Sequence, residues 1–138
     1  MTASPWNPVP DVVGPCTDIS FDRTLPGELL VTMHFSLTRG LPDRDLRIAF
    51  RGAVAIRWEE ECPGVEPVPR DLPKLTTPEW SRWTTPLLSI QDSALLESFR
   101  PIYGESLRHF LLVSMNDLLH VVAGPSVEAV WVPGRRQP

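Results

Sequence analysis

The 138-residue chain has a single lysine, Lys74, a single tyrosine, two cysteines and no extended hydrophobic run. A membrane helix needs about 18–20 consecutive apolar residues, so no spanning helix is expected. Cys16 and Cys62 form no C-x-x-C pair, which excludes the common zinc spacings and a dithiol redox motif. The eight glycines form neither a G-x-G-x-x-G nor a Walker loop, so no phosphate-cradling turn is expected. There is no G-x-S-x-G elbow; Tyr103-Gly104-Glu105-Ser106 has no strand–turn–helix setting for one. Positive charge is also short. Thirteen Lys and Arg against 17 Asp and Glu leave a net charge of −4, which argues against a general nucleic-acid binder. The first residues carry neither a basic segment nor an apolar one, which predicts a cytoplasmic, reduced protein with two free thiols. A Cys16–Cys62 disulfide would need the two carrying segments side by side.

What the chain does have is proline, 16 residues of it, unevenly placed. Four lie within residues 1–15 and five within 63–78. Residues 1–15 therefore read as an extended, weakly ordered lead-in, and 62–79 as a long loop with polyproline character. Residues 16–133 make one domain, with 134–138 as a tail. Loops of that length inside compact domains are often functional, although surface wrapping explains them equally well.

Between the proline-rich stretches the hydrophobic period is two. Leu29, Val31, Met33, Phe35 and Leu37 alternate with polar residues, as in a strand with one buried face. Residues 46–58 alternate again, with Leu46, Ile48, Phe50, Val54, Ile56 and Trp58 on one side. Gly52 marks either a bend in one long strand or a close backbone approach. Leu107 to Met115, the turn Asn116-Asp117 and Leu118 to Ala123 read as a hairpin, followed by a strand at 127–132. Residues 93–100 form the best helix candidate, capped by Asp92 or Ser93 and stopped by Pro101. The predicted class is α+β: a mainly antiparallel β-sheet with one short helix.

The three histidines carry no metal-site spacing. A two-residue turn at 116–117 pairs Val113 with His120 and leaves His109 roughly 13–14 Å away, too far to share a zinc ion. No metal, cofactor or catalytic residue is expected. The acidic run Glu59-Glu60-Glu61, followed by Glu66, closes the 46–58 strand. It reads as a solvated strand end, as an acidic edge for a basic partner, or as paired carboxylates for general acid/base work at a cleft. Trp58 and Trp131 fall on apolar parity and are expected in the core. Trp80 and Trp83 follow the long loop, as binding anchors or as clamps holding the loop to the sheet.

Four segments carry a resemblance: Leu46-Arg47-Ile48-Ala49-Phe50-Arg51-Gly52-Ala53-Val54, Asp92-Ser93-Ala94-Leu95-Leu96, Arg108-His109-Phe110-Leu111-Leu112 and Asn116-Asp117-Leu118-Leu119-His120-Val121-Val122-Ala123. Together they resemble small uncharacterised bacterial β-rich proteins, some of them immunity proteins encoded beside toxins. The resemblance covers about half the chain and implies a non-enzymatic cytoplasmic protein that binds another protein. On that reading Glu59, Glu61 and Glu66 meet basic groups of a toxin domain, and Trp80 and Trp83 anchor it. A second reading is a small-ligand binder or enzyme with its site near His34, Arg47 and Arg51. A third is a module that self-associates, as a homodimer, through an open sheet edge.

Overall fold

Period-two alternation builds two facing sheets, and the chain changes sheet at glycines. The computed structural model describes residues 2–36, 40, 42–60, 74–75, 85–115 and 117–134, with residues 60, 74 and 75 described as backbone. Its strands in chain order are β1 (Thr2–Pro5), β2 (Asp18–Leu25), β3 (Glu28–Phe35), β4 (Arg44–Arg51), β5 (Ala55–Glu60), β6 (Lys74–Leu75), β7 (Leu87–Gln91), β8 (Arg108–Val113), β9 (Asp117–Ala123) and β10 (Val127–Pro133). One helix, α1 (Ala94–Tyr103), lies between β7 and β8. A six-stranded sheet runs β5-β9-β8-β7-β1-β6, and a four-stranded sheet runs β10-β4-β3-β2. Every described pairing is antiparallel except β1 with β6. The expected mainly antiparallel α+β architecture with one short helix is what forms.

The alternation on β3 and β4 turns Leu29, Val31, Met33, Phe35, Leu46, Ile48 and Phe50 inward, all fully buried. Phe110, Leu112, Leu119 and Val121 of the six-stranded sheet meet them in one shared core. Strands β8 and β9 are buried on both faces, which is why they read as nearly continuous apolar runs rather than alternating ones. Their second face packs Leu96 of α1 against Leu107 and Val122.

Three expectations change. Residues 46–58 are two strands, not one. The chain leaves β4 at Gly52, whose φ is +63°, and enters the other sheet as β5. Gly124 makes the return crossing from β9 to β10 beside it, with its N–H donating to the Gly52 carbonyl at 3.1 Å. A Cβ on Gly52 would find room, since its nearest neighbour would be Gly124 N at 3.6 Å, but the left-handed backbone would be strained. Gly52→Ala should therefore cost about 1–2 kcal/mol in a urea titration; a neutral substitution would mean that the corner relaxes freely.

The proline-rich lead-in, read from the sequence as extended and weakly ordered, begins as a strand and then turns at residues 8–11. Thr2–Pro5 lies between β7 and β6, with Ala3 fully buried. Trp6 then stacks on Phe110 (centroids 4.5 Å apart) and Phe50 (6.0 Å). Edge-proof pairing is not required of Pro5, which ends its strand.

Pro101 does not stop the helix. Ser93 caps α1 by accepting from Leu96 N–H, and the helix runs through Pro101 to Tyr103, where Gly104 N–H bonds the Arg100 carbonyl. A proline this near the C-terminus forfeits only its own bond to the Glu97 carbonyl, and the last turn closes around it.

Candidate functional site

The rim between the two sheets gathers the most distinctive surface chemistry. Among the described strands, β5 has a neighbour on one side only, and so has β2 in the other sheet. Phe21 of β2 meets Trp58 of β5 edge-on across the rim, with centroids 5.5 Å apart at 87°. Apolar parity alone would place Trp58 in the core. Its side chain does turn toward the facing sheet, opposite the buried Leu119, but β5 is terminal and the residue stays 51% exposed. Ile56 on the same strand is 39% exposed, and Leu25 at the end of β2 is 61% exposed. A shallow cavity of about 110 Å³ opens beside them, lined by Arg23, Gly27, Glu28, Leu29, Ala53 and Ile56 among others.

Glu59 lies on the opposite face of β5, where its carboxylate takes two bonds from the Arg57 guanidinium, at 3.0 Å and 2.5 Å. The acidic edge is thus partly neutralised in place. Glu61, Glu66, Trp80 and Trp83 lie outside the described residues, as does Cys62. Cys16 is a buried free thiol whose Sγ–H donates to the Asp18 carbonyl at 3.2 Å. Burial, reinforced by the Asp18 charge, pushes its pKa far up, so it is not a nucleophile.

His109 and His120 are in contact, contrary to the separation expected from a two-residue turn. The observed register pairs Val113 with Leu118 and His109 with Val122, so the connection is four residues, Ser114 to Asp117. Ser114 Oγ accepts from Asp117 N–H at 2.8 Å and its own N–H donates to the Asp117 carbonyl at 2.9 Å, closing the longer turn. His120 moves by two positions and becomes a diagonal neighbour of His109. The ring nitrogens Nε2 of His109 and Nδ1 of His120 are 2.8 Å apart, and Ser93 Oγ is 2.6 Å from His109 Nδ1.

Ser93 Oγ also accepts from Leu96 N–H, and one arrangement of protons fits all of these contacts. The hydroxyl donates to His109, His109 donates to His120, and both rings stay neutral. Burial, helped by His120 and Arg57, lowers His109 to about 4; burial also lowers His120, with Glu59 opposing and Arg57 assisting. The serine–histidine pair has the atoms of a nucleophile and base. Ser93 is nevertheless 1% exposed and capping a helix, so the chain of bonds holds α1 on the sheet.

His34, Arg47 and Arg51 share the outer face of the four-stranded sheet but do not converge. His34 is opposite Asp45, and Arg51 is six residues further along β4, roughly 20 Å away at 3.4 Å per residue. Arg51 pairs with Glu128 at 3.2 Å. Arg47, one alternation from Asp45, is exposed beside Thr32. His34 is the centre of a cross-strand row, Asp18–His34–Asp45, set by register alone.

No protein-family model, curated protein or solved structure matches the chain. Among the described residues, no group of three or more His, Cys, Asp or Glu is placed to hold a metal ion, and no helix is long and apolar enough to cross a membrane.

Proposed function

We propose that this protein works by binding another protein, through the rim where the β5 and β2 edges meet. The observation that carries the reading is Trp58, half exposed and braced edge-on by Phe21, with Ile56 and Leu25 exposed nearby. A rigid aromatic in partly apolar surroundings is the commonest kind of interface anchor. Among the described strands β5 and β2 each end their sheet, the kind of edge that a partner strand extends. The resemblance to immunity proteins points to a toxin as the partner, and a net charge of −4 suits a basic one. On this reading the anchor is Trp58, and Glu59, with Glu61 and Glu66 beyond it in the chain, steers the approach. The small-ligand reading gains less support, since 110 Å³ is below the ~300 Å³ usual for an organic ligand and His34 and Arg51 are far apart.

The test is affinity capture from the native host, followed by titration of the captured protein against variants. Trp58→Ser should weaken binding at least about 30-fold, equivalent to ~2 kcal/mol, measured where the variant is still fully folded because the Phe21 contact is lost as well. Glu59→Lys should slow association and reduce its salt dependence. Recovery of nothing but the chain itself, or a partner indifferent to Trp58→Ser and Ile56→Ser alike, would overturn the reading. Light scattering over a concentration series separates a hetero-partner from self-association.

A further inference from the structure

We propose that β10 is the contact strand of a homodimer, pairing antiparallel with β10 of a second copy about a two-fold axis at Ala129. The two four-stranded sheets then become one continuous sheet. This edge is at the far side of that sheet from β2, so the contact is separate from the rim described above.

The argument starts from where the backbone of β10 points. Its pairing with β4 runs from Val127↔Phe50 to Pro133↔Arg44 without a shift. In the same register, Arg51 N–H donates to the Ser126 carbonyl and Gly134 N–H to the Asp43 carbonyl, both at 3.2 Å. Hydrogen-bonded positions alternate along an antiparallel pair, so Glu128, Val130 and Val132 turn their N–H and C=O groups toward β4. Val127, Ala129 and Trp131 turn theirs the other way, where β10 has no neighbour among the described strands. Pro133 belongs to this second set, so its missing N–H forfeits no bond to β4.

The outward groups are symmetric about Ala129. Val127 and Trp131 flank it equally, and Pro125 and Pro133 stand equally far beyond them. A second copy centred on Ala129 therefore sets Ala129 against Ala129, Val127 against Trp131, and proline against proline. Each outward N–H of Val127, Ala129 and Trp131 then meets a carbonyl from the same positions. Moving the axis to Val130 sets Pro133 against Val127 instead, and the Val127 carbonyl loses its donor. An edge complementary to itself selects a copy of this chain over an unrelated strand.

The side chains fit the same occupant. β2 carries a register shift between Asp22 and Leu25, and β5 carries Arg57 and Glu59, features that discourage indiscriminate strand addition. β10 is regular, and its single charge, Glu128, pairs with Arg51 at 3.2 Å. Val130 on the outer face is 55% exposed, while Val127, Ala129 and Trp131 on the inner face are only half buried. In the paired register Glu128 stands beside Val130 of the second copy, in one cross-strand row with that copy's Arg47. Arg47 is exposed and makes no ion pair among the described residues. About 10 Å between those Cα positions, two strand spacings, is within the combined reach of the two side chains. Opposite charges thus share a row across the axis.

Sedimentation velocity of the full chain over a concentration series tests the dimer. A strand-edge contact falls below the ~1,200 Å² at which standard interfaces begin, so a reversible dimer is expected at about 0.1–1 mM. Ala129→Pro removes the outward N–H beside the axis in both copies while leaving the β4 ladder intact, and should weaken the dimer about tenfold or more. Val127→Pro does the same at the first residue of the strand, where proline is best tolerated, and decides the matter should Ala129→Pro fail to fold. Trp58→Ser should leave the dimer unchanged. A chain that stays monomeric throughout overturns the proposal, as does a dimer that a folded proline variant leaves unchanged. A dimer lost in Trp58→Ser would place the contact at the rim and overturn it too.

Discussion

Stability should fall by about 2 kcal/mol between pH 7 and pH 5, before most carboxylates have begun to titrate. The cause is His109, with His120 adding to it. In the unfolded chain a histidine takes up a proton near pH 6.5, whereas burial against α1 holds folded His109 down to about 4. The unfolded state therefore binds more protons throughout this window, and folding weakens as the pH drops from 6.5 toward 4. The full effect approaches about 3 kcal/mol below pH 4, because each pH unit by which folding delays protonation is worth about 1.36 kcal/mol. Urea titrations at the two pH values measure it. Replacing both rings together, as His109→Leu with His120→Leu, should flatten this part of the profile. Removing both partners of a buried polar contact costs far less than removing one, and leucine suits the apolar surroundings. Equal stability at pH 7 and pH 5 in the parent protein would mean that the rings are not held neutral.

The largest single-residue loss is expected from Phe50→Ala, at about 4 kcal/mol, a substantial share of the ~5–15 kcal/mol typical of a domain. Phe50 is fully buried on β4 and lies 5.3 Å from Phe110 of the opposite sheet and 6.0 Å from Trp6. Truncating it opens a cavity where the two sheets and the lead-in meet, and three surrounding elements cannot all move in to fill it. A double-mutant cycle of Trp6→Ala with Phe110→Ala should give a coupling of about 0.5–1.5 kcal/mol. A loss below about 1 kcal/mol for Phe50→Ala would show that the sheets do not share this core. Zero coupling would show that the lead-in is not docked on it.

Much of the fold was legible because a strand imposes its period on the sequence directly. Leu29 to Phe35 and Leu46 to Phe50 declare which side is buried with no knowledge of neighbours. Ser93 likewise signals the start of α1 through local chemistry alone. The misreadings cluster where the outcome depends on something non-local. Trp58 has the parity of a core residue, but whether inward-facing means buried depends on how far the opposite sheet extends. At β5 it ends at Phe21.

The hairpin is the most instructive case. Asn116-Asp117 looks like a two-residue turn, yet Ser114 closes a four-residue one. A slip of two positions keeps every side chain on its face, so the burial pattern survives the error while the neighbours change. The histidine chain was invisible for that reason. Asp18, His34 and Asp45 are separated in sequence with no motif spacing, and only the β2–β3–β4 register sets them in a row.

By itself, then, the sequence determined the α+β class, the faces of the principal strands, the helix start and the exclusion of the familiar catalytic and phosphate-binding motifs. It did so because periodicity, capping and loop chemistry are local properties. Only the tertiary structure decided that the chain crosses between sheets at Gly52 and Gly124, that the lead-in is part of a sheet, and which polar side chains touch. Those outcomes depend on register and on which strands end a sheet. Both are set by the packing of segments distant along the chain, where a shift of two residues leaves the local pattern unchanged.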